Sequence, residues 1–142
     1  MAQLNYKIIT PERVVLEGEA TSLSVMTEDG EITVLPGHIP LASLLKAGEM
    51  RLKTPDGKEE LLAVSTGLLE VQKNNQIVIL ANTAERSEEL ELVKIDEAKE
   101  RAEQALKNIR NRDDVSFAEA AAHLERELAR YRVALKGQRR RV

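Results

Sequence analysis

The sequence predicts a β plus α fold: an N-terminal β-sandwich followed by a C-terminal antiparallel two-helix hairpin. Three observations carry that prediction. Short β-rich runs alternate with turn signals as far as Ala84. From Glu88 onward, apolar residues recur at the helical period. The polar link Asn111-Arg112-Asp113-Asp114 divides that helical stretch in two. The domains are expected at residues 1–86 and 87–142.

Each strand has a local reason. Tyr6 to Thr10 is rich in β-formers and stops at Pro11, which has no amide to give a sheet. Arg13–Leu16 and Ser22–Thr27 follow. Asp29-Gly30 and Asp56-Gly57 are turn signals, because glycine accepts positive φ at little steric cost. Arg51–Thr54 and Glu60–Val64 flank the second turn as a hairpin would. Leu68–Gln72 and Ile77–Leu80 flank a third, Asn74-Asn75. Many short strands spaced by turns point to a sandwich or flattened barrel.

The helices are read from spacing. Leu92, Ile95, Ala98, Ala102, Leu106 and Ile109 share one face, and Glu88, Glu89 and Glu91 suit the positive end of that helix. Ser116-Phe117-Ala118-Glu119 fits a capping box. Phe117, Ala121, Leu124, Leu128, Tyr131 and Leu135 then form a narrow heptad-like seam, with Gly137 as a stop. Such a seam is as wide as one partner helix, so the hairpin is expected to be stable when docked and able to leave.

Composition narrows the class. Hydrophobic residues make up 42% of the 142 but aromatics only 2%, so the core must be aliphatic. With no cysteine there are no disulfides or thiolate metal sites. No apolar run approaches the roughly 18–20 residues that span a bilayer, and Met1–Lys7 holds no signal-peptide core. A soluble chain is expected, with any membrane association running through a partner. The net charge of −3 hides a gradient: residues 1–84 hold 7 basic and 11 acidic side chains, whereas residues 116–142 hold 7 and 3. A cationic end on an acidic body points to an acidic partner or to attraction within the chain.

The catalytic signatures are missing. There is neither a GxxxxGK[ST] phosphate loop nor a GxGxxG. Ser43-Leu44-Leu45-Lys46 matches SxxK by chance, since its companion SDN and KTG elements do not occur. His38 and His123 stand far apart without local ligand partners, so no metal site and no catalytic residue are expected. His38 reads either as a hydrogen-bonded turn residue or as a subunit contact. Arg126, Arg130, Arg132, Lys136 and Arg139–Arg141 crowd the last helix, where they suit the helix dipole or an acidic protein surface. Nucleic acid is a poor fit, because the rest of the chain is acidic and lacks stacking aromatics.

Gly30-Glu31-Ile32-Thr33-Val34-Leu35-Pro36-Gly37-His38-Ile39-Pro40 resembles the GE-x-x-x-LPGH-x-P stretch of the epsilon subunits of rotary F-type ATP synthases. Ser65-Thr66-Gly67-Leu68-Leu69-Glu70-Val71 resembles the same family's SGG-x-x-E-V strand, with Thr66 in place of the first glycine. Ile77–Ala81, Ala84–Arg86 and Ala98–Glu103 continue the likeness in order. The resemblance implies a non-catalytic rotor subunit of an ion-translocating synthase. Its β-domain would bind the gamma subunit and the c-ring, the ring contact falling at Glu31, His38, Leu41 and Leu45. Its helices would extend into the catalytic head of alpha and beta subunits. There Arg126, Arg130, Arg132 and Lys136 would meet an acidic beta-subunit segment and block hydrolysis. The implied location is the cytoplasmic face of a bacterial inner membrane, peripheral and held through the complex.

Some bacterial members of that family bind ATP through an [IL]-D-x-x-R-A motif. Here the aligned positions read Leu90-Glu91-Leu92-Val93-Lys94-Ile95, so aspartate, arginine and alanine are all replaced. Lysine keeps the charge but loses the planar fork. A weak ATP site would use Glu91, Lys94, Arg101, Arg126 and Arg130; otherwise no cofactor is expected. Composition leaves a second class open, a sandwich-plus-hairpin adaptor unrelated to rotary motors, which would have no affinity for gamma.

Overall fold

The computed structural model describes residues 2–90, 92–108 and 114–141, with side chains described except at 92, 114–116 and 138–141. Ten strands come first: β1 (Leu4–Ile9), β2 (Val14–Ala20), β3 (Ser22–Thr27), β4 (Gly30–Val34), β5 (Leu41–Leu45), β6 (Gly48–Lys53), β7 (Glu59–Val64), β8 (Gly67–Val71), β9 (Gln76–Ala81) and β10 (Ala84–Arg86). A 3-10 turn (Ser87–Glu89) leads to α1 (Leu92–Lys107) and α2 (Asp114–Arg141). β4 and β5, inside the glycine- and proline-punctuated segment, are additional to the strands that β-rich runs predict.

The strands follow one hydrogen-bonded path, β10-β7-β6-β3-β5-β8-β9-β1-β2, and β4 pairs with β3. All pairings are antiparallel except β1 with β9. Between β3 and β5 the only paired residues are Thr27 and Leu45, and there the path turns from one layer into the other. The layers are β4-β3-β6-β7-β10 and β5-β8-β9-β1-β2. Alternation along the strands aims Leu4 and Ile8, Leu23 and Val25, Met50 and Leu52, and Ile77 and Ile79 into the space between them. Each such aliphatic side chain contributes roughly 1.5–3 kcal/mol when fully buried. Tyr6 is the aromatic member of this core; burial pushes its phenol pKa up, the Glu60 carboxylate adds to that, and Arg86 opposes it.

Two turns depend on their residue types. Asn74 and Asn75 both have positive φ, 62° and 60°, which asparagine tolerates better than most residues. Gly67 has no room for a side chain: a Cβ there would lie 2.1 Å from the Leu80 carbonyl oxygen. Thr66, by contrast, does not need positive φ, and its hydroxyl accepts a 3.0 Å bond from Asn82. The departure from the family pattern at Thr66 is therefore absorbed locally.

β7 departs from alternation. Leu61, Leu62, Ala63 and Val64 are all buried. Leu62 and Val64 face the sandwich core, whereas Leu61 and Ala63 face outward into a second cluster with Leu90, Ile95, Val133 and Ala134, against which Tyr131 packs. α2 lies on β6 and β7, and α1 packs on α2. Lys99 Nζ sits 4.2 Å above the Tyr131 ring, fastening one helix to the other.

α1 starts at Leu92, the first residue of the predicted apolar repeat, and Glu88 and Glu89 precede it in the 3-10 turn, paired with Arg86 and Arg13 at 3.3 Å and 3.2 Å. The second helix differs from expectation at its ends. α2 begins at Asp114, ahead of Ser116, and runs through Gly137 to Arg141. Gly137 is buried and Lys136 is bonded to Glu49 on β6, so docking offsets the roughly 1 kcal/mol that glycine costs a helix. Ile109 and the link Asn111–Asp113 lie outside the described residues.

Candidate functional site

Three surfaces carry chemistry. The first is the loop from Leu35 to Pro40 at one end of the sandwich. Gly37, with φ of 89°, donates its amide to Asn75 Oδ1 at 2.7 Å, so the β8–β9 turn pins the loop. His38 Nδ1 lies 2.6 Å from the Ile39 carbonyl oxygen and donates to it. Leu35, Ile39 and Leu41 project into solvent around it, Ile39 with 75% exposure.

The four residues assigned to a ring contact divide into two pairs. His38 and Leu41 share the loop end. Glu31 stands at the far end of β4, beside the junction where Thr27 pairs with both Gly30 and Leu45, and its carboxylate is held by Arg51. Leu45 corrects the expectation. It is 2% exposed and belongs to the core, because strand alternation turns it inward and its neighbour Leu44, 56% exposed, outward.

The second surface is absent from the sequence reading. Registers across the β5-β8-β9-β1-β2 layer align Leu44 with Leu68, Leu68 with Leu80, Leu80 with Ile9, and Ile9 with Val14. These residues form an outward-facing aliphatic row across five strands, in which Leu44, Leu80 and Val14 are the most exposed. The row crosses β5 three residues, about 10 Å, from Leu41. It lies on the outer face opposite the one that α2 covers. Aligned outward-facing aliphatics on a well-packed domain mark a docking face. The signal was present at alternate positions of each strand, but only the pairing register puts the five in line.

The third surface is the contact of α2 with the β-domain. Arg130 donates from Nη2 to Glu85 on β10 at 3.0 Å and from Nη1 to Glu127 at 2.9 Å. Glu127 is only 2% exposed, and Arg126 lies 3.5 Å from it on the other side. Lys136 reaches Glu49 at 2.6 Å. Of the four cations assigned to an inhibitory contact, Arg126, Arg130 and Lys136 are thus ion-paired within the chain, whereas Arg132 is exposed. The buried side of α2 is Glu127, Ala129, Val133, Ala134 and Gly137, while the predicted seam from Ala121 to Leu135 is half-buried and Phe117 is exposed. The sequence points to the half-buried face, because small residues and one acid give the docked face no apolar signature.

Of the residues of the weak ATP site, Arg126 and Arg130 meet at Glu127, while Arg101 and Arg126 line different clefts. Arg101 lines an open groove on α1 with Glu97, Glu100 and Glu103. Arg126 lines a separate cavity of about 250 Å³ with His123, Glu119, Ser65, Thr66 and Asn82. Arg130 is held by its two carboxylates, Lys94 is exposed, and Glu91 lies outside the described residues. Among the described residues, no cluster of three acidic or histidine side chains could hold a metal, and no helix is long and apolar enough to cross a membrane.

A sandwich with a docking row on one face and, on the other, a hairpin tethered by charge through its basic second helix defines a two-part binding subunit. Known proteins give that class a family. Residues 3–87 match the family model described as the ATP synthase, Delta/Epsilon chain, beta-sandwich domain. The ATP synthase epsilon chain of Psychrobacter cryohalolentis is 41% identical over 140 residues, 99% of each chain. That of Moorella thermoacetica is 46% identical over 134 residues, 94% of this chain and 98% of its own. A chain in the Euglena gracilis mitochondrial ATP synthase structure, OSCP/F1/c-ring in rotational state 1, shares the fold with a TM-score of 0.77 at 21% identity, covering 97% of this chain and 82% of that one. A chain of the Tetrahymena thermophila mitochondrial ATP synthase central stalk and c-ring gives 0.60 at 13% identity, covering 94% of both chains. The protein belongs to the ATP synthase epsilon chain family, whose members are subunits of a membrane-associated complex. That membership sets aside the unrelated-adaptor reading.

Proposed function

We propose that this chain is a non-catalytic rotor subunit of the central stalk, joining the gamma subunit to the c-ring and restraining ATP hydrolysis through α2. The aliphatic row Ile9, Val14, Leu44, Leu68 and Leu80 carries the reading. It needs a permanent cover, and gamma is the partner of matching role. The loop end with His38, Ile39 and Leu41 stands clear of the row and is free to meet the ring, with Glu31 and Arg51 at the β3–β4 turn as a second, polar contact. The complex would work on the cytoplasmic face of a bacterial inner membrane. α2 occupies the other face of the sandwich, so it can leave without disturbing the gamma contact. Its cations Arg126, Arg130, Arg132 and Lys136 then meet an acidic beta-subunit surface.

The test is co-elution with gamma. The double variant Leu44→Asp/Leu80→Asp is expected to fold normally, since both side chains point outward, yet to lose gamma by at least tenfold in affinity, as a buried unpaired charge requires. Retained affinity would sink the assignment. In a second arm, the chain is titrated into a catalytic head that contains gamma and lacks epsilon. The wild-type chain is expected to lower ATP hydrolysis, and Arg126→Ala/Arg130→Ala/Arg132→Ala to relieve that inhibition without loss of assembly. ATP sensing is tested by titration calorimetry; the replaced aspartate, arginine and alanine of the motif favour no saturable heat.

A further inference from the structure

Three of the four cations proposed to act on the catalytic head, Arg126, Arg130 and Lys136, are already ion-paired inside this chain. Arg130 is gripped between Glu85 of the β-domain and Glu127 of its own helix, at 3.0 Å and 2.9 Å. Lys136 is bonded to Glu49 at 2.6 Å. Both β-domain carboxylates face α2 from the strands beneath it and stand largely out of solvent, at 28% and 16% side-chain exposure. The apolar part of this contact is modest: Leu61 and Ala63 meet Val133 and Ala134, with Leu90 and Ile95 at the edge. α1 packs mainly on α2, so α2 ties the hairpin to the sandwich.

We propose that Glu49 and Glu85 form an internal latch, a decoy for the acidic surface that α2 would otherwise engage. One set of cations serves two mutually exclusive partners, so the β-domain competes directly with the head. Glu127 makes the sharing workable. It travels with Arg126 and Arg130, keeping both arginines partly neutralised while α2 is between partners and lowering the cost of leaving either one. The inference rests on the inhibitory role proposed above for α2.

Shared cations predict a split that a merely structural ion pair does not. Removing the carboxylates (Glu49→Gln/Glu85→Gln) and removing the cations (Arg130→Gln/Lys136→Gln) should both loosen α2 in the isolated full chain. Amide exchange along Ala129–Gly137 should speed up by about tenfold or more in each, while amides at Leu69 and Ile79 stay protected. Their effects on the catalytic head should be opposite. The carboxylate variant should inhibit hydrolysis several-fold more strongly than wild type, and the cation variant less. Unchanged exchange in the carboxylate variant would overturn the latch. Faster exchange in both variants with inhibition weakened in both would overturn the sharing of cations. Failure of the wild-type chain to inhibit would instead count against the proposed function, and the exchange measurement would then decide whether Glu49 and Glu85 hold α2.

Discussion

The two buried clusters of this chain are built from different materials. Between the sheets, Leu4, Ile8, Leu23, Met50, Leu52, Leu62, Leu69, Ile77 and Ile79 are all but inaccessible to solvent, and every one is a large aliphatic. Under α2, the buried set is Leu61, Ala63, Leu90, Ile95, Ala129, Val133 and Ala134, smaller in number and in side-chain size, with Glu127 among them and Arg130 and Lys136 at the margin. The first cluster gains from area alone and has no inexpensive way to open. The second gains less from area and more from charge pairs, which another acidic surface can replace at little net cost. Durability and reversibility are thus divided between two faces of one strand, β7: Leu62 and Val64 serve the first cluster, Leu61 and Ala63 the second.

The strongest way to break this contrast is to open the first cluster. Leu69→Ala should cost about 2–5 kcal/mol, read from the urea midpoint, because the cavity is walled by both sheets. The hairpin should unfold with it, since β7 is its platform. A hairpin that stayed docked while the sandwich melted would refute the dependence.

Val133→Asp reverses the test. A carboxylate at this fully buried position would lie among Leu61, Ala63 and Ala134, and the nearest cations along the helix, Arg130 and Lys136, are already held by Glu85 and Glu49, so about 3–5 kcal/mol should be lost from docking. Exchange should show α2 released and the core amides of β8 and β9 unchanged. Equal loosening of both regions would mean that the clusters are one cooperative unit.

The same contrast explains what was legible in the sequence. The sandwich announced itself, because period-2 aliphatics and the turns at Gly30, Gly57 and Asn74-Asn75 are local signals, and local backbone geometry satisfies them. β4 and β5 were hidden by the glycine and prolines that separate them. The sites were less legible. Leu44 and Leu45 are equivalent in composition, and only the register of β5 against β8 shows which is outside. The row from Val14 to Leu44 joins residues that are thirty positions apart. Nothing in the sequence sets Glu85 and Glu49 apart from other strand carboxylates; their pairing with Arg130 and Lys136 depends on α2 lying over the strands. The docked face of α2 was concealed for a further reason: alanines, a valine, a glycine and a glutamate do not make a hydrophobic stripe, whereas the half-covered leucines of the other face do.

A smaller effect is expected within the hairpin itself. Lys99 is a link between α1 and α2 through the Tyr131 ring, and it also lies 3.6 Å from Asp96 on its own helix. Lys99→Gln should remove the cation–π contact, worth about 0.5–1 kcal/mol at a partly exposed site, and increase exchange in α1 more than in α2. Because α2 keeps its own anchorage on β6 and β7, equal changes in both helices would show that α1 contributes to docking directly.

The smallest effect sharpens the contrast from the β-domain side. Asp56 closes the β6–β7 turn, and its carboxyl pKa is held below the usual range by the Thr54 hydroxyl first and the Lys58 amide second. A lowered folded value means that the ionised form is favoured in the folded chain. Its contribution is therefore complete above the ordinary carboxylate range and is lost as pH falls through the group's own depressed value. Asp56→Asn should lower stability slightly on the neutral side and flatten the fall into acid, leaving the profile below the depressed value almost unchanged. Full solvent exposure keeps the effect small. Because β6 and β7 are also the platform for α2, carboxyl titration of Asp56 by NMR in wild type and in Val133→Asp gives a sensitive check. An unchanged titration after hairpin release is expected if the sandwich holds its turn geometry unaided; an upward shift would show that docked α2 helps shape the strands beneath it.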